Sequence, residues 1–119
     1  MTKTVVVTGA GSGIGRAIAT TLAQRDWRVV VTDINGDAAR DVAAGLPNQE
    51  AGHESAVLNV SAPEDAATVA YGIADRLGLD AWVSNAGISF MHKFLDAPVA
   101  RYDQTMDVNL KGVFVCGQA

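Results

Sequence analysis

The sequence predicts an α/β fold, a parallel sheet of four strands with helices on both of its faces. Continuous β-branched runs such as TVVVT (4–8) and RVVVTD (28–33) are typical of strands that are covered on both faces. Segments with helical spacing of apolar residues follow these runs. Because strands and helices alternate four times along the chain, the strands are expected to be parallel and joined by right-handed crossovers.

Two helices are predicted in the first half of the chain. The first is GIGRAIATTLAQRDW (13–27), and the second is NGDAARDVAAGLP (35–47), which begins with polar cap candidates and stops at Gly45 and Pro47. The apolar face expected for the first helix consists of Ile14, Ala17, Ile18, Thr21 and Leu22.

The second half continues the pattern with strands at 54–60 and 79–87. Between them lies the clearest helix, 61–78, with Ser61 as a candidate cap and Pro63 in its first turn. Its expected apolar face consists of Ala66, Val69, Ala70, Ile73 and Leu77. From residue 97 onward the pattern predicts a short helix followed by a longer one.

Composition and charge exclude several classes of protein. The net charge of −4, without a basic block, argues against a nucleic-acid partner. No apolar run approaches the 18 or so residues that cross a membrane. The lone Cys116, expected in the core, fits a reducing compartment, so a soluble cytoplasmic protein is expected. His53 and His92 lack neighbours at metal-ligand spacing, so we expect them to be solvated and predict no metal site.

The stretch VTGAGSGIG (7–15) places four glycines between the first strand and the first helix. The N-terminus of a helix carries unpaired N–H groups and partial positive charge, so a phosphate or pyrophosphate is its natural occupant. Asp33 closes the second strand, where an acid binds ribose hydroxyls in dinucleotide sites. Two alternatives are a tight turn that binds nothing and an Asp33 that caps the next helix.

Four motifs resemble those of the short-chain dehydrogenase/reductase family, in the family's order. TGAGSGIG (8–15) resembles its cofactor loop, NVS (59–61) its acid-Val pair, SNAG (84–87) its N-N-A-G and VNLKG (108–112) its N-x-x-G segment. The resemblance covers all 119 residues. It implies one dinucleotide-binding domain over 1–119, the N-terminal half of a Rossmann-like doubly wound sheet that needs further strands to be complete.

The resemblance implies an NAD site along the loops that follow the strands. Asp33 would accept from the adenosine ribose hydroxyls, and its charge would repel the 2′-phosphate of NADP. Ser12 is equally well explained as an ordinary turn serine. The residues implied to bind the cofactor are Gly9, Ser12, Gly13, Ile14, Gly15, Asp33, Ile34, Asn59, Val60, Asn85, Ala86 and Gly87.

Three polar positions carry further expectations from the resemblance. Asn59 replaces the family's aspartate, and its amide oxygen is expected to accept from the exocyclic amine of adenine. Ser84 replaces the first Asn of N-N-A-G, a position that helps to stabilise the central sheet in the family. Serine has fewer hydrogen-bonding groups than asparagine, so a lower local stability is expected. Asn109 matches the family's catalytic asparagine, which kinks its helix and helps to hold a water in a proton relay.

The family's catalytic serine and Tyr-x-x-x-Lys are not found in these residues, because Asp75 and Met106 stand four places after Tyr71 and Tyr102. We therefore expect the cofactor half of an NAD-dependent oxidoreductase that transfers hydride to or from an alcohol or ketone, inactive alone. A homo-oligomer is expected, because the last helix would expose Val113, Phe114 and Val115. The alternatives are a non-catalytic nucleotide-binding module and an assembly partner.

Overall fold

Four parallel strands form the sheet in the computed structural model, which describes residues 2–119. The strands are β1 (Thr4–Val7), β2 (Arg28–Asp33), β3 (Glu54–Val57) and β4 (Ala81–Val83), and their order across the sheet is β3-β2-β1-β4. Every neighbouring pair is parallel. The predicted Rossmann-like sheet is confirmed, with β3 and β4 shorter than expected.

Valines fill the two central strands. In the register of β1 and β2, Val5 lies opposite Val29, Val6 opposite Val30 and Val7 opposite Val31. All of these side chains are buried. Because successive side chains of a strand point to opposite faces, this continuous run supplies apolar surface to both sides of the sheet.

The α-helices of the described residues are α1 (Gly13–Gln24), α2 (Gly36–Gly45), α3 (Pro63–Leu77), α4 (Val99–Met106) and α5 (Gly112–Gln118). One core cluster packs residues of α1 and α2 against Val5 and Val7. A second packs Ile73 of α3 against Val6 and Val30. The clusters lie on opposite faces, as predicted, because Val6 points away from its two neighbours.

The face predicted for α1 is confirmed at Ile18 and Leu22, which pack against the core, and is wrong at three residues that are exposed: Ile14, Ala17 and Thr21. The helix buries Gly15, Ala19 and Ala23, whereas the side chain of Ile14 is 75% exposed. Small residues let the backbone of α1 approach the sheet closely, which the apolar pattern alone did not indicate. The face predicted for α3 is confirmed, since Ala66, Ala70 and Ile73 are buried and Val69 and Leu77 pack beside them.

Two predictions about polar side chains are also wrong. The N-cap of α3 is Ala62, and the Ser61 hydroxyl instead donates to Asn59 Oδ1. His53 is half-buried: its Nδ1 accepts from the N–H of Val29 at 3.0 Å, and its Nε2 lies 2.8 Å from the carbonyl oxygen of Pro47. This geometry requires the neutral tautomer with the proton on Nε2. His92 is exposed, as expected.

The C-terminal helices expose much apolar surface. A π-helical turn (Asp107–Lys111) joins α4 to α5, and α4 buries none of its residues. Phe114 is 67% exposed, whereas Val115, which was expected to be exposed, is buried with Cys116 against Leu58 and Val60. Burial raises the pKa of the Cys116 thiol, in keeping with its predicted place in the core.

Within residues 2–119, no helix combines the length and the apolar character needed to cross a bilayer.

Candidate functional site

The loop between β1 and α1 uses glycine for two different reasons. Gly9 and Gly13 have φ angles of +62° and +58°, a region that side chains disfavour. A Cβ at Gly9 would also lie 2.7 Å from the Cα of Ala86, so the loop closes directly onto the segment after β4. A Cβ at Gly13 would meet nothing within 4 Å, so this part of the backbone is open.

Gly15 and Gly11 are required for packing. A Cβ at Gly15 would overlap the carbonyl oxygen of Gly9 and lie 2.5 Å from Asn85 Nδ2. A Cβ at Gly11 would lie 2.8 Å from Asp33 Oδ2. The loop is therefore pressed against the strand ends on both sides, which leaves its outer surface for a ligand.

Hydrogen bonds between Thr8 and Asn85 join the ends of β1 and β4. The buried hydroxyl of Thr8 accepts from the N–H groups of Asn85 and Ala86, each at 3.0 Å. In return, Asn85 Nδ2 donates to the carbonyl oxygens of Thr8 and Gly9 at 3.1 and 3.3 Å. These bonds fix the backbone on both sides of the site.

The Asp33 carboxylate is anchored at the end of β2. Its Oδ2 accepts from the N–H of Gly11 and its Oδ1 from the N–H of Asn35, both at 3.0 Å. The cap of α2 is Asn35, whose Oδ1 accepts from the N–H of Ala38 at 3.1 Å. Asp33 is thus not the cap, and its carboxylate, with two acceptor positions remaining, is free to bind a ligand.

Asn59 lies just beyond β3 in a tight turn. Its Oδ1 accepts from the N–H of Ser61 at 3.1 Å and from the Ser61 hydroxyl at 2.7 Å. Its own N–H donates to Asp65 Oδ2 at 2.7 Å. The amide oxygen that was expected to face an adenine amine is therefore already occupied by Ser61.

Asn109 holds the segment after β4. Its Oδ1 accepts from the N–H of Ile88 at 2.8 Å, and its Nδ2 donates to the carbonyl oxygen of Ile88 at 2.7 Å. Asn109 lies in the π-helical turn, a feature frequent at functional sites. The regular α-helix is thus interrupted at Asn109, and both polar atoms of the side chain are bonded to the backbone of Ile88.

These segments enclose one cavity of about 700 Å³ at the carboxyl ends of the strands. Its volume is typical of small-molecule and cofactor sites, and its place is where open α/β sheets bind ligands. Ser12, the first residue before α1, makes no capping bond with its side chain. Its hydroxyl and the first N–H groups of α1 are therefore available to a phosphate, and this donor set fits a dinucleotide.

Comparison with known proteins identifies the family. The sequence profile described as short chain dehydrogenase matches residues 3–119. The chain belongs to the short-chain dehydrogenase family.

Individual proteins similar to this chain belong to the same class. D-beta-hydroxybutyrate dehydrogenase of Rhizobium meliloti (strain 1021) is 38% identical over 120 residues, which cover 96% of this chain and 45% of the relative. L-rhamnose 1-dehydrogenase (NAD(P)(+)) of Azotobacter vinelandii is 38% identical over 124 residues, covering 98% and 48%. A solved structure described as a short-chain alcohol dehydrogenase from Sinorhizobium meliloti 1021 is 32% identical with a TM-score of 0.86, covering 100% and 48%. The chain thus spans about half the length of these relatives.

Most of the residues predicted to bind a cofactor line the cavity of this family member. Those that line it are Gly9, Ser12, Gly13, Ile14, Asp33, Ile34, Asn59, Val60, Asn85, Ala86 and Gly87. Gly15 and Asn109 do not line it: the first supports the loop from behind, and the second acts through Ile88. Ser84 is exposed, and none of the side-chain hydrogen bonds of residues 2–119 involves it.

Sequence reasoning missed Thr8 and several residues of the cavity wall. The missed wall residues are Leu58, Ser61, Ile88, Gln104, Asp107 and Val108. Because Thr8 ends a run of β-branched residues, the sequence does not indicate that its hydroxyl accepts hydrogen bonds from Asn85 and Ala86. Among residues 2–119, no group of three His, Cys, Asp or Glu side chains is placed to hold a metal ion.

Proposed function

We propose that this chain is the NAD-binding part of an oxidoreductase that transfers hydride between the nicotinamide and an alcohol or carbonyl substrate. The observation that carries the proposal is the Asp33 carboxylate, held by two backbone N–H groups at the rim of a cavity whose floor is the open glycine loop. Family membership supports a nicotinamide cofactor, and one relative is named for use of NAD(P)(+).

The order of the binding groups supports an extended dinucleotide. The glycine loop and the first turn of α1 would hold the pyrophosphate, and Asp33 at the end of the next strand would hold the adenosine ribose. On the other side of the loop, Ala86 and Gly87 leave room for the nicotinamide end. When bound, the nicotinamide supplies the position that gives or accepts the hydride.

Asn109 and Ile88 would shape the nicotinamide end of the site. Because both polar atoms of Asn109 are bonded to the backbone of Ile88, its side chain fixes the wall of the cavity. The π-helical turn Asp107–Lys111 departs from the regular i→i+4 pairing of helix carbonyls with later N–H groups, and such turns are frequent at functional sites. We therefore assign Asn109 to the proton relay through this backbone.

The charge of Asp33 gives the test of cofactor preference. Two unit charges about 4 Å apart near a protein surface repel by about 4 kcal/mol, and a third of that energy is already about tenfold in affinity. The wild-type protein should bind NADH at least about tenfold more tightly than NADPH. Asp33→Asn should reduce that ratio, because it removes the repulsion and keeps the shape. Enhancement of nicotinamide fluorescence measures both affinities.

Asp37→Asn is the matched control, since Asp37 is an exposed carboxylate in the first turn of α2 that pairs with Arg40 and lies outside the cavity. It should leave the NADH to NADPH ratio unchanged. If neither nucleotide binds to the wild-type protein, the dinucleotide assignment is overturned. If both bind equally, only the preference for NAD is overturned.

We further propose a cytoplasmic homo-oligomer, and predict that the 119-residue chain self-associates. The outer edge of β4 has no strand partner within residues 2–119, and Phe94, Leu95 and Phe114 are 92%, 91% and 67% exposed. Sedimentation velocity over a concentration series should show mass increasing with concentration. Leu110, in the π-helical turn before α5, is 62% exposed, and its replacement by lysine together with Phe114→Lys should shift the series toward monomer. A monodisperse wild-type monomer at high concentration contradicts this prediction.

A further inference from the structure

The second helix begins at an asparagine that is followed directly by glycine. Asn35 is the N-cap of α2, and Gly36 is the first residue of the helix. In an Asn-Gly pair, the backbone nitrogen of the glycine can attack the side-chain carbonyl carbon of the asparagine, because no Cβ on the second residue obstructs the approach. The other asparagines, each followed by a residue with a side chain, are Asn48, Asn59, Asn85 and Asn109.

The attacking nitrogen and the leaving group of this reaction are both free at Asn35. The N–H of Gly36 lies in the first turn of α2, where a helix has no carbonyl to accept it, and it makes no hydrogen bond within residues 2–119. Asn35 Nδ2 likewise makes none, because the side chain of Asn35 is held only through its oxygen. Asn35 is exposed, so water has access to the amide.

The side-chain carbonyl of Asn35 is placed to react. Its Oδ1 accepts from the N–H of Ala38 at 3.1 Å. A donor held at a carbonyl oxygen stabilises the negative charge that develops there when a nucleophile adds to the carbon. The glycine is also set by packing, since a Cβ at Gly36 would lie 2.5 Å from Val57 Cγ2. The close approach of α2 to β3 therefore keeps the second position of the pair without a side chain.

We propose that Asn35 is a site of spontaneous modification, at which the native protein exchanges an amide for a carboxylate without an enzyme. The Gly36 nitrogen forms a bond to Cγ of Asn35, and its proton passes through water to Nδ2. The bond from Cγ to Nδ2 breaks, and this nitrogen leaves as ammonia. Water then opens the cyclic imide at one of its two carbonyls, which gives aspartate or isoaspartate. Water is the only reactant consumed, and nothing is oxidised or reduced.

The two products have different consequences for the fold. Aspartate keeps an oxygen for the N–H of Ala38, so α2 remains capped. Isoaspartate carries the main chain through the former side-chain carbon and lengthens it by one methylene, so Gly36 must move from its close contact with Val57. Either product adds a negative charge two residues after Asp33, whose Oδ1 accepts from the N–H of Asn35.

Peptide mapping of the whole chain tests the proposal without any ligand. The protein is incubated at mildly alkaline pH and then digested with trypsin, which cuts after Lys and Arg and releases residues 29–40 with Asn35 as their only asparagine. The gain in mass from amide to acid, and the chromatographic separation of the aspartyl and isoaspartyl forms, give the rate. Asn35 should react at least about tenfold faster than any other asparagine of the native chain.

The asparagines at 48, 59, 85 and 109 lie in other tryptic peptides of the same sample and serve as internal controls. A parallel incubation in urea measures the reaction without the fold. A fast reaction at Asn35 in the native chain supports the proposal. A reaction that is fast in urea but no faster than at the other asparagines in the native chain shows that the fold protects the amide, and overturns it. A slow reaction in both samples overturns it as well.

Asn35→Ser is the matched variant, because serine keeps a capping oxygen and has no amide to lose. After the same incubation, wild-type protein that contains isoaspartate should unfold at a lower urea concentration than fresh protein, whereas the serine variant should not change. An equal loss in both proteins would overturn the effect assigned to residue 35.

Discussion

Replacing Thr8 with valine is expected to lower the free energy of unfolding by about 2–4 kcal/mol. Valine has nearly the same shape, so the packing of this buried position is preserved. The N–H groups of Asn85 and Ala86, however, lose the oxygen that both of them use. Each unsatisfied donor that is shielded from water costs about 1–3 kcal/mol. Urea unfolding measured by linear extrapolation gives the change directly.

Thr8→Ser separates the hydroxyl from the methyl group. Serine keeps the acceptor for Asn85 and Ala86 and removes one buried methyl, so it should cost only about 1 kcal/mol. Equal losses in the serine and valine variants would mean that the hydroxyl does not join β1 to β4. The valine variant should also bind NADH less tightly, because Asn85 and Ala86 line the cavity.

Gly15→Ala is expected to lower the free energy of unfolding, whereas Gly72→Ala, its control in α3, is expected to raise it. A methyl at Gly15 would overlap the carbonyl oxygen of Gly9 and crowd Asn85. Because backbone cannot yield as a flexible side chain does, overpacking here should cost about 1–3 kcal/mol. Both variants are measured by urea unfolding, and NADH fluorescence shows whether the loop still binds.

Gly72 is the matched control within α3. A methyl there would meet nothing within 4 Å, so the only change is the better helix propensity of alanine. This substitution should stabilise the protein by about 0.5–1 kcal/mol. A Gly15→Ala variant as stable as Gly72→Ala would show that the loop has more room than the geometry gives it.

The parallel sheet and its helices could be predicted from sequence because each element has its own pattern of apolar residues, and the alternation of strands with helices indicates a parallel sheet. Two continuous runs of valine indicate strands that are covered on both faces, and the helical spacing of Ala66, Ala70 and Ile73 indicates the buried side of α3. The same approach was only partly right at α1, where Ile18 and Leu22 pack against the core as predicted, but the buried positions are small residues and Ile14 lines the cavity. Where a helix backbone must lie close to the sheet, small residues are buried there instead of large apolar ones.

The strand ends that carry the candidate site residues could be predicted, but the hydrogen-bond partners of these residues could not. Asp33 and Asn59 follow strands, so the sequence indicates that they meet at one edge of the sheet. Whether an amide presents its oxygen or its nitrogen depends on Ser61, and whether His53 is solvated depends on Val29 and Pro47. These hydrogen bonds depend on which residues meet in the folded chain, and no periodic pattern in the sequence indicates them.

The matching valines of β1 and β2 have a consequence for folding. A two-residue slip between these strands would still place valine against valine over part of their length, so apolar side chains alone distinguish poorly between the two alignments. The distinction comes from polar bonds at the strand ends. The hydroxyl of Thr32 donates to the carbonyl oxygen of Val7 at 3.0 Å, and the guanidinium of Arg28 donates to the hydroxyl of Thr4 at 3.4 Å. Burial of the valines therefore favours the association of β1 with β2, and the hydrogen bonds at the strand ends select their register.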